Sequence, residues 1–321
     1  MAIRAPRGSA TVLTVAGVIA STGTAVVGAR NLLNIQAERA RSVIPKSWDT
    51  PPRADGVYAP GGGPVRRWDR NTPFDLHLMV FGDSTATGYG CRDADEVPGV
   101  LIARGLAEES GKLIRLSTKA IVGATSKGLS GQVDAMFVAG PPPDAAVIMI
   151  GANDITALNG IGASAHRLGA AVQRLRASGA VVVVGTCPDF GVITAIPQPL
   201  RWTARSRGLH LARAQATAVR AAGGIPVPLA DLLTPNFLQA PELMFSEDRY
   251  HPSAAGYALA ANQLLPALCH ALGEWTGATV PDLPWAARSE DRSLAARLRP
   301  VTRLLRRRTT GVPAPIVVTA S

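Results

Sequence analysis

The sequence predicts an α/β protein: a three-layer α/β/α sandwich around a five-stranded parallel sheet. Three observations predict it. Apolar runs such as "AAVIMIG" (145–151) and "AVVVVGT" (180–186) show no polar alternation, which is the pattern of strands covered on both faces. These runs alternate with longer amphipathic segments, so successive strands are joined by crossover helices and lie parallel. At 321 residues and 47% hydrophobic content, the chain is long enough to bury a full core.

Strands are expected at 76–82, 113–119, 145–151, 180–186 and 225–229. Helices are expected near 97–109, 127–138, 163–178, 203–222 and 253–271. No internal repeat is visible. Sheets of this kind carry their sites at the carboxyl ends of the strands, so the residues that follow each strand are the ones to inspect.

The flanking regions read differently. Residues 10–29 form an uncharged run after Arg4 and Arg7. Twenty residues as a helix just span a hydrocarbon layer of about 30 Å. The run reads as a signal peptide cut near Ala29, an uncleaved anchor or a buried core helix at the terminus, and the helical character of "RNLLNIQAERARSVIP" favours the anchor. The organisation expected is therefore an anchor with a juxtamembrane helix (1–43), a Pro/Gly-rich linker (44–73), the main domain (74–284) and a basic tail (285–321), in an exported protein held in or near the cell envelope.

Charge follows the same division. The net +10 comes from the two ends: six Lys/Arg against two Asp/Glu in 1–50, and eight Arg against two acids in 288–308, while the rest carries 19 of each sign. Basic ends suit an anionic lipid surface, so a membrane partner is expected through the N-terminal run and the tail. The tail, broken by Pro300, reads equally as a basic amphipathic helix or a solvated segment. No nucleic-acid motif or basic-aromatic interleaving is present, and no nucleic-acid partner is expected.

Four short signals follow the expected strands: Gly82-Asp83-Ser84, Gly123 in "IVGATS", Gly151-Ala-Asn153-Asp154, and Asp248-Arg-Tyr-His251 just before the last helix. Taken alone, Gly-Asp-Ser is an ordinary turn or helix N-cap. Together, all four fall on one edge of one sheet. A serine hydroxyl is a poor nucleophile until a base takes its proton. His251 is the candidate base because Asp248, three residues earlier, is placed to accept from its Nδ1–H and fix the tautomer. The developing oxyanion needs donors, and the Ser84 and Gly123 N–H groups with the Asn153 amide are the candidates. Asp83 and Asp154 are read as holding their own turns.

This ordered set resembles the SGNH (GDSL-type) hydrolase family over about residues 74–272, with Ser84, Gly123, Asn153 and His251 as the four markers. The layout of anchor, linker and basic end resembles exported actinobacterial envelope members. The resemblance implies a flavodoxin-like sandwich, a Ser84–His251–Asp248 triad and an oxyanion hole of Ser84, Gly123 and Asn153. Two departures stand out: Thr85 replaces the family's usual Leu after the serine, and no Asn precedes Gly123, which leaves Gly128 and Gly131 as alternatives.

The activity expected is hydrolysis of carboxylic esters, either short-chain lipids or O-acylated envelope glycans, through an acyl-Ser84 intermediate. An envelope acyltransferase built on the same triad is the alternative, and an inactive lipid-binding scaffold is a third reading. Asp189 and Phe190, after the fourth strand in "GTCPDFG", are candidates to line the substrate pocket or simply to form a loop, and the stretch around Arg201 and Trp202 is a candidate lid. The three cysteines, Cys91, Cys187 and Cys269, lack metal-ligand spacing. No H-E-x-x-H, Walker or G-x-S-x-G sequence occurs, and Gly160–Ala165, which fits G-x-G-x-x-A, is not in the first strand-to-helix turn. No cofactor and no metal are expected.

Overall fold

The computed structural model describes residues 51–138 and 140–274, together with six helical residues between 28 and 38. The expected anchor (10–29, apart from Gly28) and the basic tail (285–321) lie outside the described residues.

Among the described residues the sheet has six strands. They are β1 (Gly56–Tyr58), β2 (Leu76–Gly82), β3 (Ile114–Thr118), β4 (Ala145–Met149), β5 (Val181–Gly185) and β6 (Ile225–Val227), in spatial order β1-β3-β2-β4-β5-β6. Strands β2 to β6 are parallel and β1 is antiparallel to β3. The five parallel strands fall where the sequence puts them, but the sheet is six-stranded.

The correction comes from the expected linker. Val57 and Tyr58 are buried, Val57 exchanges two backbone hydrogen bonds with Arg66, and the Asp55 carboxylate accepts from the Thr118 N–H at the end of β3. The Arg115 guanidinium lies 3.4 Å from the centre of the Trp68 ring. The segment from 51 to 75 therefore caps the sheet edge, which leaves β3 with no open backbone row along β1.

Helices cover both faces. Alternate residues of β2 show why: Leu78 and Val80 pack in one core with α2 (Pro98–Ser110) and the C-terminal helix, while Met79 and Phe81 pack in a second core against α3 (Leu129–Asp134) and α5 (Ile161–Ala177). Such fully buried side chains contribute about 1.5–3 kcal/mol each in transfer free energy.

The remaining helices are α1 (Ser84–Thr87), α4 (Ala152–Thr156), α6 (Leu200–Ala221), α7 (Leu229–Gln239), α8 (Pro241–Met244) and α9 (Ala254–Leu272). The order of the parallel strands makes β2 the switch point, with one crossover leaving to each side. A cleft opens at the carboxyl ends of β2 and β4 in such a topology.

Candidate active site

At the end of β2 the backbone turns sharply into α1, and Gly82 makes that turn possible. Its φ is +136°, and a Cβ there would sit 1.9 Å from the Met149 carbonyl oxygen of β4. Gln132 grips this glycine twice, accepting from its N–H and donating to its carbonyl, each at 2.8 Å.

Asp83 N-caps α1, its carboxylate accepting from the Thr85 N–H at 3.0 Å and the Thr85 hydroxyl at 2.7 Å. The threonine that departs from the family pattern thus adds a hydrogen bond to the turn. Burial pushes the Asp83 carboxyl above the usual range. Ser84 follows, 6% exposed.

The candidate base comes from far along the chain. His251 Nε2 lies 3.0 Å from Ser84 Oγ, and His251 Nδ1 lies 2.6 Å from Asp248 Oδ2. The other Asp248 oxygen accepts from the Ser246 hydroxyl and from the Tyr250 and His251 N–H groups. Burial pushes the Asp248 carboxyl up, but the hydrogen bonds from His251, Tyr250 and Ser246 outweigh it and hold it down at about 2. The carboxylate is therefore ionised at neutral pH.

Two aromatic rings clamp the imidazole: Tyr89 at 4.5 Å and Tyr250 at 5.0 Å between centroids. The Tyr257 hydroxyl of α9 donates to the Tyr89 carbonyl at 2.8 Å, so the last helix supports the clamp. Ser253 N-caps α9 two residues after His251. Tyr89 carries no local sequence signal, since the fold alone brings it to His251, whereas Ser246 and Tyr250 lie two residues on either side of Asp248.

The loop after β3 comes to the same edge. The Ile121 N–H donates to the Gly82 carbonyl at 3.1 Å, and the Asn153 amide, on α4 after β4, donates to the Ala124 carbonyl at 3.0 Å. One Asn153 amide hydrogen remains for a ligand. Gly123 lies between these ties with φ +80°, a conformation that favours glycine. Among the described residues, neither the Ser84 nor the Gly123 N–H donates a hydrogen bond to the protein. Of the alternatives, Gly128 donates its N–H to the Thr125 carbonyl, and Gly131 lies within α3.

Asp154, buried beside Asn153, locks the loop in place. It accepts from the Ser126 N–H and hydroxyl, the Asn159 amide and the Ser164 hydroxyl, all at 2.8–2.9 Å. Its structural reading agrees with these bonds.

Asp189 and Phe190 follow β5 and are each held by the protein's own contacts. Phe190 is fully buried in the core, with its ring against Gly208. The Asp189 carboxylate accepts from the Gly191 N–H and pairs with Arg205. Asp189 borders a cavity of about 260 Å³ with Gln198, Trp202 and Leu238, which includes neither Ser84 nor His251. These contacts account for both side chains without a substrate.

All three cysteines are free thiols. Burial pushes each upward, Cys269 to about 12, so none offers a thiolate at neutral pH.

The model of the GDSL-like Lipase/Acylhydrolase family matches residues 80–259. The chain belongs to that family. It is 72% identical over 279 residues to the GDSL-like esterase Rv1075c of Mycobacterium tuberculosis, covering 87% of this chain and 89% of the relative. Among solved structures, the psychrotrophic esterase EstA from Pseudoalteromonas sp. is 19% identical over 62% of this chain and all of that one, with a TM-score of 0.49. The lipase/acylhydrolase from Enterococcus faecalis is 21% identical over 64% of this chain and all of its own, with a TM-score of 0.47. The family spans the segments that carry Ser84, Gly123, Asn153, Asp248 and His251.

Proposed function

We propose that Ser84, His251 and Asp248 are the catalytic triad of this carboxylic ester hydrolase, acting through an acyl-Ser84 intermediate. The observation that carries the proposal is the continuous path from Ser84 Oγ to His251 Nε2 at 3.0 Å and from His251 Nδ1 to Asp248 Oδ2 at 2.6 Å. The esterase class is that of the family and of the 72% identical relative.

In the first half-reaction His251 Nε2 takes the Ser84 proton as Oγ bonds to the ester carbonyl carbon. Asp248, held ionised, stabilises the imidazolium. The negative charge on the former carbonyl oxygen is met by the Ser84 and Gly123 N–H groups and the Asn153 amide. When the tetrahedral intermediate collapses, the C–O bond to the alcohol breaks and His251 returns its proton to the leaving oxygen. Water then attacks the acyl-serine with His251 as base again; the bond to Ser84 Oγ breaks, His251 returns the proton to Ser84, and the acid leaves. The Tyr89 and Tyr250 rings hold the imidazole in plane for both transfers.

The substrates we infer are esters presented at the cell envelope, short-chain lipids or acylated glycans, with the protein exported and held at a membrane by residues 10–29. The uncharged run between Arg7 and Arg30 and the basic ends support that placement.

Hydrolysis of p-nitrophenyl esters by the wild type and by Ser84→Ala tests the chemistry. Loss of about 10⁴-fold or more in kcat is expected; equal rates refute the nucleophile.

A further inference from the structure

The face of the molecule beside the site carries an unusual combination of charge and exposed apolar area. Helix α6 holds five arginines, Arg201, Arg205, Arg207, Arg213 and Arg220, and no acidic residue. Arg205 pairs with Asp189, and Arg207 donates to the Asn159 carbonyl. Arg213 is exposed. Trp202, in the first turn, is 68% exposed, an uncommon state for so large an apolar side chain.

Spacing places these groups on one stripe. Trp202, Arg205, Ser206, Leu209, His210 and Arg213 line a shallow groove of about 260 Å³, at intervals of three and four residues that keep them on one helix face.

What lies next to this stripe identifies its occupant. The Gln36 side chain accepts from the Leu200 N–H at 3.0 Å and donates to the Gln198 carbonyl. The helical residue Gln36 is therefore tied to the start of α6, two residues from Trp202 and seven positions after the uncharged run 10–29. A bilayer holding residues 10–29 thus has its headgroup layer within reach of Trp202. Leu32 and Ile35, on the same N-terminal helix, are exposed as well. Trp at an interface with arginines around it is the side-chain set that headgroups of anionic phospholipid accept.

We propose that the stripe of α6 from Trp202 to Arg213 rests on the headgroups of an anionic phospholipid bilayer, with Trp202 inserted at the interface and Arg213 against phosphate. On another side of the same helix, Arg207 donates to the carbonyl of Asn159, just past the α4 helix that carries Asn153, so a docked α6 lies next to the candidate site. The inference deepens the envelope-esterase reading and rests on its membrane placement.

The full chain reconstituted into phosphatidylcholine vesicles, with and without phosphatidylglycerol, tests it in two ways. Brominated phosphatidylglycerol should quench part of the tryptophan emission, and Trp202→Phe should remove that part. Quenching unchanged in Trp202→Phe overturns the proposal. So does an emission change produced by a soluble acidic polysaccharide and not by lipid, which would assign the stripe to a glycan. This arm needs no turnover and is decided independently of esterase activity. In the second arm, Arg213→Glu should lower hydrolysis of an ester carried in phosphatidylglycerol vesicles by about fivefold or more, with hydrolysis of a soluble p-nitrophenyl ester unchanged. Equal turnover of the vesicle ester by variant and wild type contradicts the proposal.

Discussion

The turn after β2 and the loop after β3 meet at one edge of the sheet and are built in opposite ways. The β2 turn is buried and overdetermined: Gln132 holds Gly82 by two hydrogen bonds, Asp83 caps α1, and Ser84 is nearly inaccessible. The β3 loop is exposed, with Ile121 59% and Val122 44% accessible. It is held at its ends, by the Gly82 carbonyl, by Asn153 and by Asp154 through Ser126. The contrast teaches a division of labour. The proposed nucleophile has one permitted position, whereas the proposed donor loop is fixed at two ends and presents Gly123 between them. A hydroxyl that must meet an imidazole at 3.0 Å needs the first kind of support. An N–H that meets a charge only as it develops works with the second.

Substitutions at the two glycines should separate these regimes most clearly. Gly82→Ala forces a Cβ into the Met149 carbonyl at 1.9 Å and a backbone angle of +136° on an L side chain. A loss of about 3 kcal/mol or more is expected, read as a large drop in Tm. A Tm within a few degrees of wild type would mean that the β2 turn is softer than its contacts imply.

Asn153→Ala acts between the two regions, removing both the proposed oxyanion donor and the tie to Ala124. We expect kcat to fall about 10²–10³-fold with KM little changed. A change confined to KM would assign the amide to ground-state binding.

Gly123→Ala should have the smallest effect on stability. A Cβ there meets nothing within 4 Å, and only the left-handed backbone is strained, by about 1–2 kcal/mol. Relaxation of the loop would displace the N–H, so kcat should drop by more than Tm suggests. If the two fall together, Gly123 is a folding residue and not a donor.

Much of the fold is legible in the sequence because its parallel strands are continuous apolar runs: 76–82 is recovered to the residue. The strand β1 is not, because three residues among Pro and Gly give no periodicity, and their partner Arg66 and the ring of Trp68 are found only in three dimensions. Helices α7 and α8 are hidden by Pro228, Pro235 and Pro241, since a proline normally ends a helix. Here Pro241 opens α8, and Pro235 is carried inside α7.

At the site, Ser84, Asp248 and His251 are legible because each sits in a short motif with its turn partner beside it. Tyr89 and Tyr257 are separated from their partners His251 and Tyr89 by more than 160 positions, and nothing local marks them. Asp189 and Phe190 show the converse. Their place after β5 points to a pocket, while the ion pair with Arg205 and the packing on Gly208 explain them.

The central claim is that His251, oriented by Asp248, activates Ser84. Labelling with a fluorophosphonate probe, followed by peptide mapping by mass spectrometry, tests it most directly. The account predicts a phosphonyl adduct on Ser84 in the wild type and its loss in His251→Ala. An adduct on Ser84 forming equally fast in His251→Ala, or an adduct on a different residue in the wild type, would contradict it.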